Sequence, residues 1–416
     1  MKNHANYLSL SIAALVVATF FSHCAQPVKV KYGIDDRDVE AVMGDNLKLR
    51  NPYNYENQAV PQHIRQSIFR EPVTNQVAAL GRALFYDKKL SENTKVSCGS
   101  CHQQQFAFGA NTKGADGAFG EAVKQPMRLV NLKFSSTSNL FWDSREEEIL
   151  NAVKAPILDH TEMGFSGKNG QKNMRDLIDR LQNTQYYNQL FLHAFGSTTV
   201  TEEGLEKALA QFILSIQSYD SKFDKAMAGL NTNDKSIYLK SFPSFNQEEN
   251  FGKNLFFGEP ILSGNMRLAG GFGCARCHFD GEAGFVQAAT QTKYGPQQNN
   301  TRTIVGESNG ITKNVNGTRS HKLTSRAPSM RDLVNNAGMP NTHFFSDASA
   351  KDLDEVLEHY NTIFKLNERL DERLRQGTSI INYDMSVQNK KDLVAFLKTM
   401  SGKDVYTNPK WSNPFL

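Results

Sequence analysis

Four of the five cysteines fall into two matching settings, Cys98-Gly-Ser-Cys101-His102 and Cys274-Ala-Arg-Cys277-His278. Two thiols three residues apart on one helical turn can add to the two vinyl groups of a porphyrin. The histidine that follows then lies under the ring plane and ligates the iron; Cys-x-x-Cys-His is the signature of c-type haem attachment. A zinc ribbon also uses two cysteine pairs, but it spaces them about 15–20 residues apart, a gap far exceeded between Cys101 and Cys274. A thioredoxin-like dithiol does not call for the histidine in both copies. The two motifs therefore predict two covalent haem c groups, with His102 and His278 as iron ligands.

The surroundings of the first motif recur around the second. Gly81-Arg-Ala-Leu-Phe-Tyr precedes one and Gly252-Lys-Asn-Leu-Phe-Phe the other, and Leu-Ser follows at Leu90-Ser91 and Leu262-Ser263. Beyond each motif come an arginine-led, partly apolar stretch (Arg128 to Asn131, Arg326 to Arg331) and an aromatic tract ending in aspartate, Phe141-Trp142-Asp143 and Phe344-Phe345-Ser346-Asp347. This is a duplicated unit with one haem per copy. Apolar residues recur at helical spacing in Gly204–Asp224, Asn75–Leu84, Leu353–Phe364 and Asp392–Met400. The stretches 109–126 and 284–318 lack periodicity and read as long loops. No strand pattern stands out. The expected fold is mainly α, with two cytochrome c-like domains at 71–240 and 241–416 after an N-terminal segment at 24–70.

Leu8 to Phe21 forms an apolar run after the single early cation Lys2, and Cys24 follows closely. Residues 1–23 read as a lipoprotein-type signal peptide with Cys24 as the acylated residue, which places the mature protein in the periplasm or cell envelope and lets it meet the membrane only through that anchor. Lys+Arg 47 against Asp+Glu 43 leaves a formal net charge of +4 without a dense basic run, so no nucleic acid is expected as a partner. Glycine (29) and proline (13) are too few for a fibrous or disordered chain.

Taken together, Leu84-Phe-Tyr-Asp-Lys-Lys-Leu-Ser91, Val96-Ser-Cys-Gly-Ser-Cys-His102, Phe141-Trp-Asp-Ser-Arg145, Glu162-Met-Gly164, Ser218–Asp224 and Leu393–Gly402 carry a resemblance to the bacterial di-haem cytochrome c peroxidases, including their MauG-like branch. It runs from about Gly81 to Gly402. The resemblance implies that the haem on His102 is the peroxide site and that the haem on His278 takes electrons from an external donor, such as a small cytochrome c or cupredoxin. It implies that Trp142 carries or tunes transfer between the haems, and that Glu162 assists peroxide cleavage. A peroxidase needs an acid to protonate the departing oxygen, and a desolvated Glu162 would suit.

The sequence also departs from the family. Many members hold a histidine on the resting peroxide haem, yet 103–139 contains no histidine and one methionine, Met127. His160 is the nearest spare histidine and reads as a hydrogen-bonded loop residue. The sixth ligand of the second haem, methionine in typical peroxidases and tyrosine in the MauG-like branch, falls on Tyr360. His359 points about 100° away on a helix, and Met339 and His343 are weaker alternatives. Ala152 replaces a glutamine of the distal pocket. The resemblance admits one calcium ion near Gln125, and a homodimer. His63, His193 and His321 read as structural. Three functions stand open: reduction of hydrogen peroxide to water, MauG-like oxidation of a protein or other substrate driven by peroxide, and electron carriage without peroxide chemistry.

Overall fold

A helix can approach another to backbone contact only where one of them lacks a side chain, and this constraint sets both halves of the molecule. The computed structural model describes residues 36–416 apart from 65–68, 70, 113, 123, 136–139, 144, 232–233, 280–290, 293–294, 297–326 and 363–371. Helix α1 spans Arg37–Met43, α2 Asn75–Tyr86, α3 Cys98–Cys101, α4 Ile149–Leu158, α5 Met174–Gln182, α6 Gln185–Phe195 and α7 Glu202–Ser215. There follow α8 Lys222–Met227, α9 Gln247–Phe257, α10 Ala275–His278, α11 Leu353–Asn361 and α12 Val387–Lys398. Sheet is confined, among the described residues, to three two-stranded pairs, the longest being Pro260–Ser263 with Met266–Gly270. The fold is helix-rich, as expected.

The two recurring stretches make matching close contacts. A Cβ on Gly81 of α2 would lie 1.8 Å from Ala208 O and 2.8 Å from Phe212 Cβ of α7; one on Gly252 of α9 would lie 1.8 Å from Asp392 O and 2.9 Å from Phe396 Cβ of α12. Each long partner helix ends in the same way. Ser215 Oγ donates to Phe212 O and Thr399 Oγ1 to Phe396 O, each at 2.6 Å. Each copy's aromatic tract lies in a turn closed by a backbone bond, Leu140 N donating to Glu146 O and Phe344 N to Ala350 O, both at 2.7 Å. Phe141 and Phe345 both take positive φ there, 63° and 65°. Asn131 and Asp332 share a left-handed backbone (φ 62° and 51°), so the equivalent of Arg128 is Ser329 rather than Arg326.

Two apolar clusters result. One gathers α2, α4 to α7 and, from the far end of the chain, Val405, Tyr406 and Trp411. The other gathers Phe223 and Met227 of α8 with α9, α11 and α12. Against Phe223 of the second cluster lies a buried ionic link: Arg331 Nη1 donates to Asp224 Oδ2 at 2.8 Å while His63 Nε2 meets Asp224 Oδ1 at 3.0 Å. The charges of Asp224 and Arg331 are mutually compensated in a dry environment, which is where a lone partner would be costly.

The helical period of Gly204–Asp224 is interrupted. Helix α7 stops at Ser215, and Ile216 is extended (ψ 112°). The Ser215 hydroxyl competes for the Phe212 carbonyl, a local alternative to helix continuation, and Asn131 N takes the Ile216 carbonyl at 2.8 Å. Helix α8 then restarts behind a Ser221–Asp224 capping box. Of Leu353–Phe364, the helix is described to Asn361. The loop 109–126 lacks helix and strand among its described residues, while most of 284–318, with His321 and Cys24, lies outside them.

The close crossings make a falsifiable claim. Gly81→Ala or Gly252→Ala forces a methyl into a carbonyl oxygen and should cost about 1–3 kcal/mol by overpacking. Thermal unfolding of the haem-loaded protein reads this as a lower midpoint, and an unchanged midpoint for both variants would contradict the crossing geometry.

Candidate functional site

The first Cys-x-x-Cys-His turn is α3. Its entry is fixed by Ser97 N donating to Ser100 Oγ at 2.9 Å. Tyr86, whose hydroxyl donates to Trp411 O at 2.7 Å, lays its ring where a Cβ on Gly99 would be, 2.5 Å away. The turn is thus wedged between α2 and the chain's C-terminal segment. His102 N bonds Cys98 O at 2.8 Å, and its Nδ1 lies 2.9 Å from Phe108 O. A carbonyl only accepts, so the proton sits on Nδ1 and the Nε2 lone pair stays available for a metal. Burial lowers the imidazole pKa, opposed by the Phe108 and Met127 backbone. Ala107 and Phe108 reach this position through left-handed backbone, φ 53° and 60°.

The second turn, α10, repeats the arrangement. His278 N bonds Cys274 O at 3.1 Å and His278 Nδ1 donates to Pro328 O at 3.1 Å. Burial pushes its pKa down to about 4, so the imidazole is neutral at pH 7. Burial also holds the thiols protonated, Cys98 and Cys274 pushed up to about 12 and Cys101 to about 11. All four are free of disulfides.

Cys274, Cys277 and His278 line a cavity holding ≈ 1670 Å³ of atom-free space, open water included. Its walls are largely apolar, among them Phe256, Phe272, Leu333, Leu353 and Leu397. A wide apolar slot with two thiols and one neutral imidazole presenting Nε2 suits a covalently held porphyrin. Tyr360 of α11 lines the same cavity, as do His343, Tyr383 and Met385. His359 does not; its ring packs edge-on against Phe345 at 4.9 Å. Met339 is half exposed on a separate loop.

The wall nearest the first half consists of Pro126, Met127, Arg128, Val130, Leu132 and Trp142. Arg128 is fastened across the halves, Nε to Arg331 O at 3.0 Å and Nη2 to Ser329 O at 2.7 Å. Trp142 Nε1 donates to Gln125 O at 2.8 Å. Gln125 is itself buried. Its Nε2 donates to Ala110 O at 2.7 Å, Thr112 O at 3.0 Å and Thr342 Oγ1 at 3.2 Å, and its backbone N donates to Ser346 O at 2.9 Å. Calcium is bound by oxygens facing it. Here an N–H group faces the oxygens, so the residues as arranged do not fit a cation.

Glu162 lies beside the first turn, where its charge raises the pKa of both Cys98 and Cys101. It follows a turn in which Asp159 Oδ1 accepts from Thr161 N at 2.8 Å and Glu162 N at 3.0 Å. Desolvation first, and the Asp159 charge second, push the Glu162 carboxyl up to about 7; Arg145 opposes. Arg145 is held by Asp143 at 2.9 Å and stacks on Phe141 at 3.8 Å. The Phe-Trp-Asp-Ser-Arg tract therefore serves two neighbourhoods: Trp142 faces the second cavity and Arg145 acts on Glu162. The loop over Glu162 is pinned, with Ala118 N on Glu162 O at 2.7 Å, Phe119 N on Thr161 O at 3.1 Å and Asn93 Nδ2 on Ala118 O at 2.7 Å. His160 is exposed; its Nδ1 meets Gln171 Oε1 at 2.7 Å and its ring stacks on Phe119. Ala152 is half-buried on α4, packed on the first core. His193 pairs with Asp36 at 2.9 Å.

The structure thus brings Cys98, Cys101, His102 and Glu162 into one neighbourhood, and Cys274, Cys277, His278, Tyr360 and Trp142 around one cavity. Sequence reasoning missed Met385 and Tyr383, which carry no motif, and the anchoring contacts of Arg128 and Gln125, which depend on residues some 200 positions away (Arg331 and Thr342).

Comparison with known proteins fits these features. Residues 75–232 match the family described as di-haem cytochrome c peroxidase. The cytochrome c551 peroxidase of Nitrosomonas europaea is 25% identical over 333 residues, covering 80% of this chain and 81% of that protein. The methylamine utilization protein MauG of Methylorubrum extorquens is 26% identical over 336 residues, covering 80% of each. A crystal structure of a MauG-like protein associated with microbial copper homeostasis superposes with a TM-score of 0.61 at 23% identity, covering 86% of this chain and 99% of that one. The diheme peroxidase BthA from Burkholderia thailandensis E264 gives 0.54 at 17% identity, covering 82% and 90%. Residues 75–232 thus carry a di-haem cytochrome c peroxidase domain, and the relatives aligned over 80% of the chain support an oxidoreductase acting on peroxide. That family implies two c-type haems. No helix of the described residues is long and apolar enough to cross a membrane.

Proposed function

We propose that the protein reduces hydrogen peroxide to water with electrons from an external donor, a small cytochrome c or cupredoxin. In this reading each half is a cytochrome c-like domain. Cys98, Cys101 and His102 would hold the peroxide-reactive haem, and Cys274, Cys277 and His278 the electron-accepting one, with Tyr360 as a further ligand to its iron. Bound there, haem iron would supply the redox chemistry and the position at which peroxide reacts. The rest falls to the protein. His102 and His278 offer Nε2 because Phe108 O and Pro328 O occupy their other nitrogen. Trp142 supplies a π-system on the cavity wall between the halves.

The observation that carries the proposal is Glu162, half-buried beside the first attachment turn with a carboxyl pKa of about 7. A group poised there accepts a proton from one peroxide oxygen and returns it to the other at neutral pH. The pinned loop over Glu162 and the absence of histidine from 103–139 support an iron open to peroxide in the fully oxidised protein. Tyr360 on the second cavity favours the second reading, MauG-like oxidation of a protein or other substrate, since a phenolate stabilises ferric iron relative to a thioether. Cys24 after its apolar leader supports attachment to the cell envelope by a lipid.

Glu162→Gln should keep both haems loaded and slow the reaction with peroxide by at least roughly 100-fold. The folded pKa lies above the ordinary carboxyl value, so the carboxylate that takes the first proton forms only as pH rises through about 7. The wild-type rate should climb across that pH and the variant's should not; an unchanged rate removes Glu162 from the reaction. Tyr360→Phe should alter the low-spin spectrum alone, and an unmoved spectrum would place the ligand elsewhere, Met385 being the buried alternative on that wall.

A further inference from the structure

Gln125 sits at a junction that peroxide chemistry does not by itself explain. It is 3% exposed. Its backbone carbonyl accepts from Trp142 Nε1 at 2.8 Å, and its backbone N donates to Ser346 O at 2.9 Å. Trp142 and Ser346 hold matching places in the two repeated turns, so one residue joins both copies at equivalent points. Its side-chain nitrogen reaches Ala110 O and Thr112 O in the first half and Thr342 Oγ1 in the second. Trp142, Thr342 and Ser346 all line the second cavity.

The donor set decides what kind of fastener this is. Two main-chain carbonyls and a hydroxyl converge on one buried point, an arrangement that a divalent cation or an N–H donor can each satisfy. Here the donor is the carboxamide nitrogen, whose two hydrogens are shared among the three oxygens. Gln125 Oε1 has no partner. Reversing the amide would turn that oxygen onto the other three and call for a cation; the observed orientation supplies its own positive edge.

We propose that Gln125 is a positioning residue that, in place of a metal ion, fastens Trp142 to the wall of the second cavity. Its relevance to electron transfer rests on the reading of Trp142 given above. Gln125→Ala removes the three side-chain bonds and leaves the indole's acceptor held only by its backbone N–H on Ser346 O. Gln125→Glu sets a carboxyl among three oxygens, which a proton or a cation must reconcile, so above the pKa of that carboxyl this variant acquires a dependence on calcium that the wild type lacks.

The test uses the haem-loaded protein, with EGTA or with millimolar calcium. Thermal midpoint and the rate of electron equilibration between the haems after one-electron photoreduction should not respond to either additive in the wild type. Both should recover with calcium in Gln125→Glu. Gln125→Ala should slow equilibration several-fold, as should Trp142→Phe, with no further loss in the double variant. Ultraviolet resonance Raman separates the two parts of the claim, because the two tryptophans differ: Trp142 Nε1 is hydrogen-bonded and Trp411 Nε1 is buried without a partner. Gln125→Ala should move the bonded indole band and leave the other in place. Wild-type protein that loses stability in EGTA, or an unmoved indole band in Gln125→Ala, overturns the proposal. If the band moves while Trp142→Phe transfers at the wild-type rate, the fastening stands and the reading of Trp142 as a conduit falls.

Discussion

An imidazole can offer one nitrogen to a metal only if the other keeps the proton. That requirement governs both halves of this protein. Phe108 O and Pro328 O each take the Nδ1 proton of the motif histidine, and each carbonyl is aimed by costly local structure. On one side two consecutive non-glycine residues, Ala107 and Phe108, sit in the left-handed region. On the other, the Pro328 carbonyl belongs to a segment whose next residues are clamped by Arg128 from the opposite half. The helix crossing at Gly81 fixes the helix whose Tyr86 packs on the first attachment turn, and the crossing at Gly252 fixes its counterpart in the second half.

The two halves share this plan but differ in what surrounds it. The second cavity is apolar and wide, and Arg128 on its wall is held by the carbonyls of Ser329 and Arg331. The first turn carries a carboxyl in its neighbourhood, and burial makes that carboxyl weakly acidic. A group that titrates near pH 7 can both take and give a proton in one cycle, whereas an ordinary carboxylate gives poorly and an ordinary amine takes poorly. Arg145, steadied by Asp143 and Phe141, moderates the shift. One short tract, 141–145, thereby sets the environment of Glu162 and presents Trp142 to the other cavity.

Much of this was legible in the chain itself. The Cys-x-x-Cys-His spacing is dictated by porphyrin chemistry, and the duplication follows from Gly81 and Gly252 recurring with the same neighbours. What stayed hidden depends on distant partners. Helix α7 ends at Ser215 because its hydroxyl and Asn131 N capture carbonyls, a choice no apolar period encodes. Val405, Tyr406 and Trp411 return to the first core from the far end of the chain, which local pattern cannot show. A glutamine that looks like a ligand position acts as a donor only because Ala110, Thr112 and Thr342 all present oxygens.

The central claim is that the first site meets peroxide without prior reduction, with Glu162 moving the proton. The most direct measurement is stopped-flow absorbance of the fully oxidised, haem-loaded protein mixed with one equivalent of hydrogen peroxide. The account predicts a fast Soret change whose rate rises as pH passes through about 7. A Soret band that does not move in the oxidised protein would contradict it; reactivity that appears only after one-electron reduction would make the site a gated peroxidase, and continued silence would leave the protein an electron carrier.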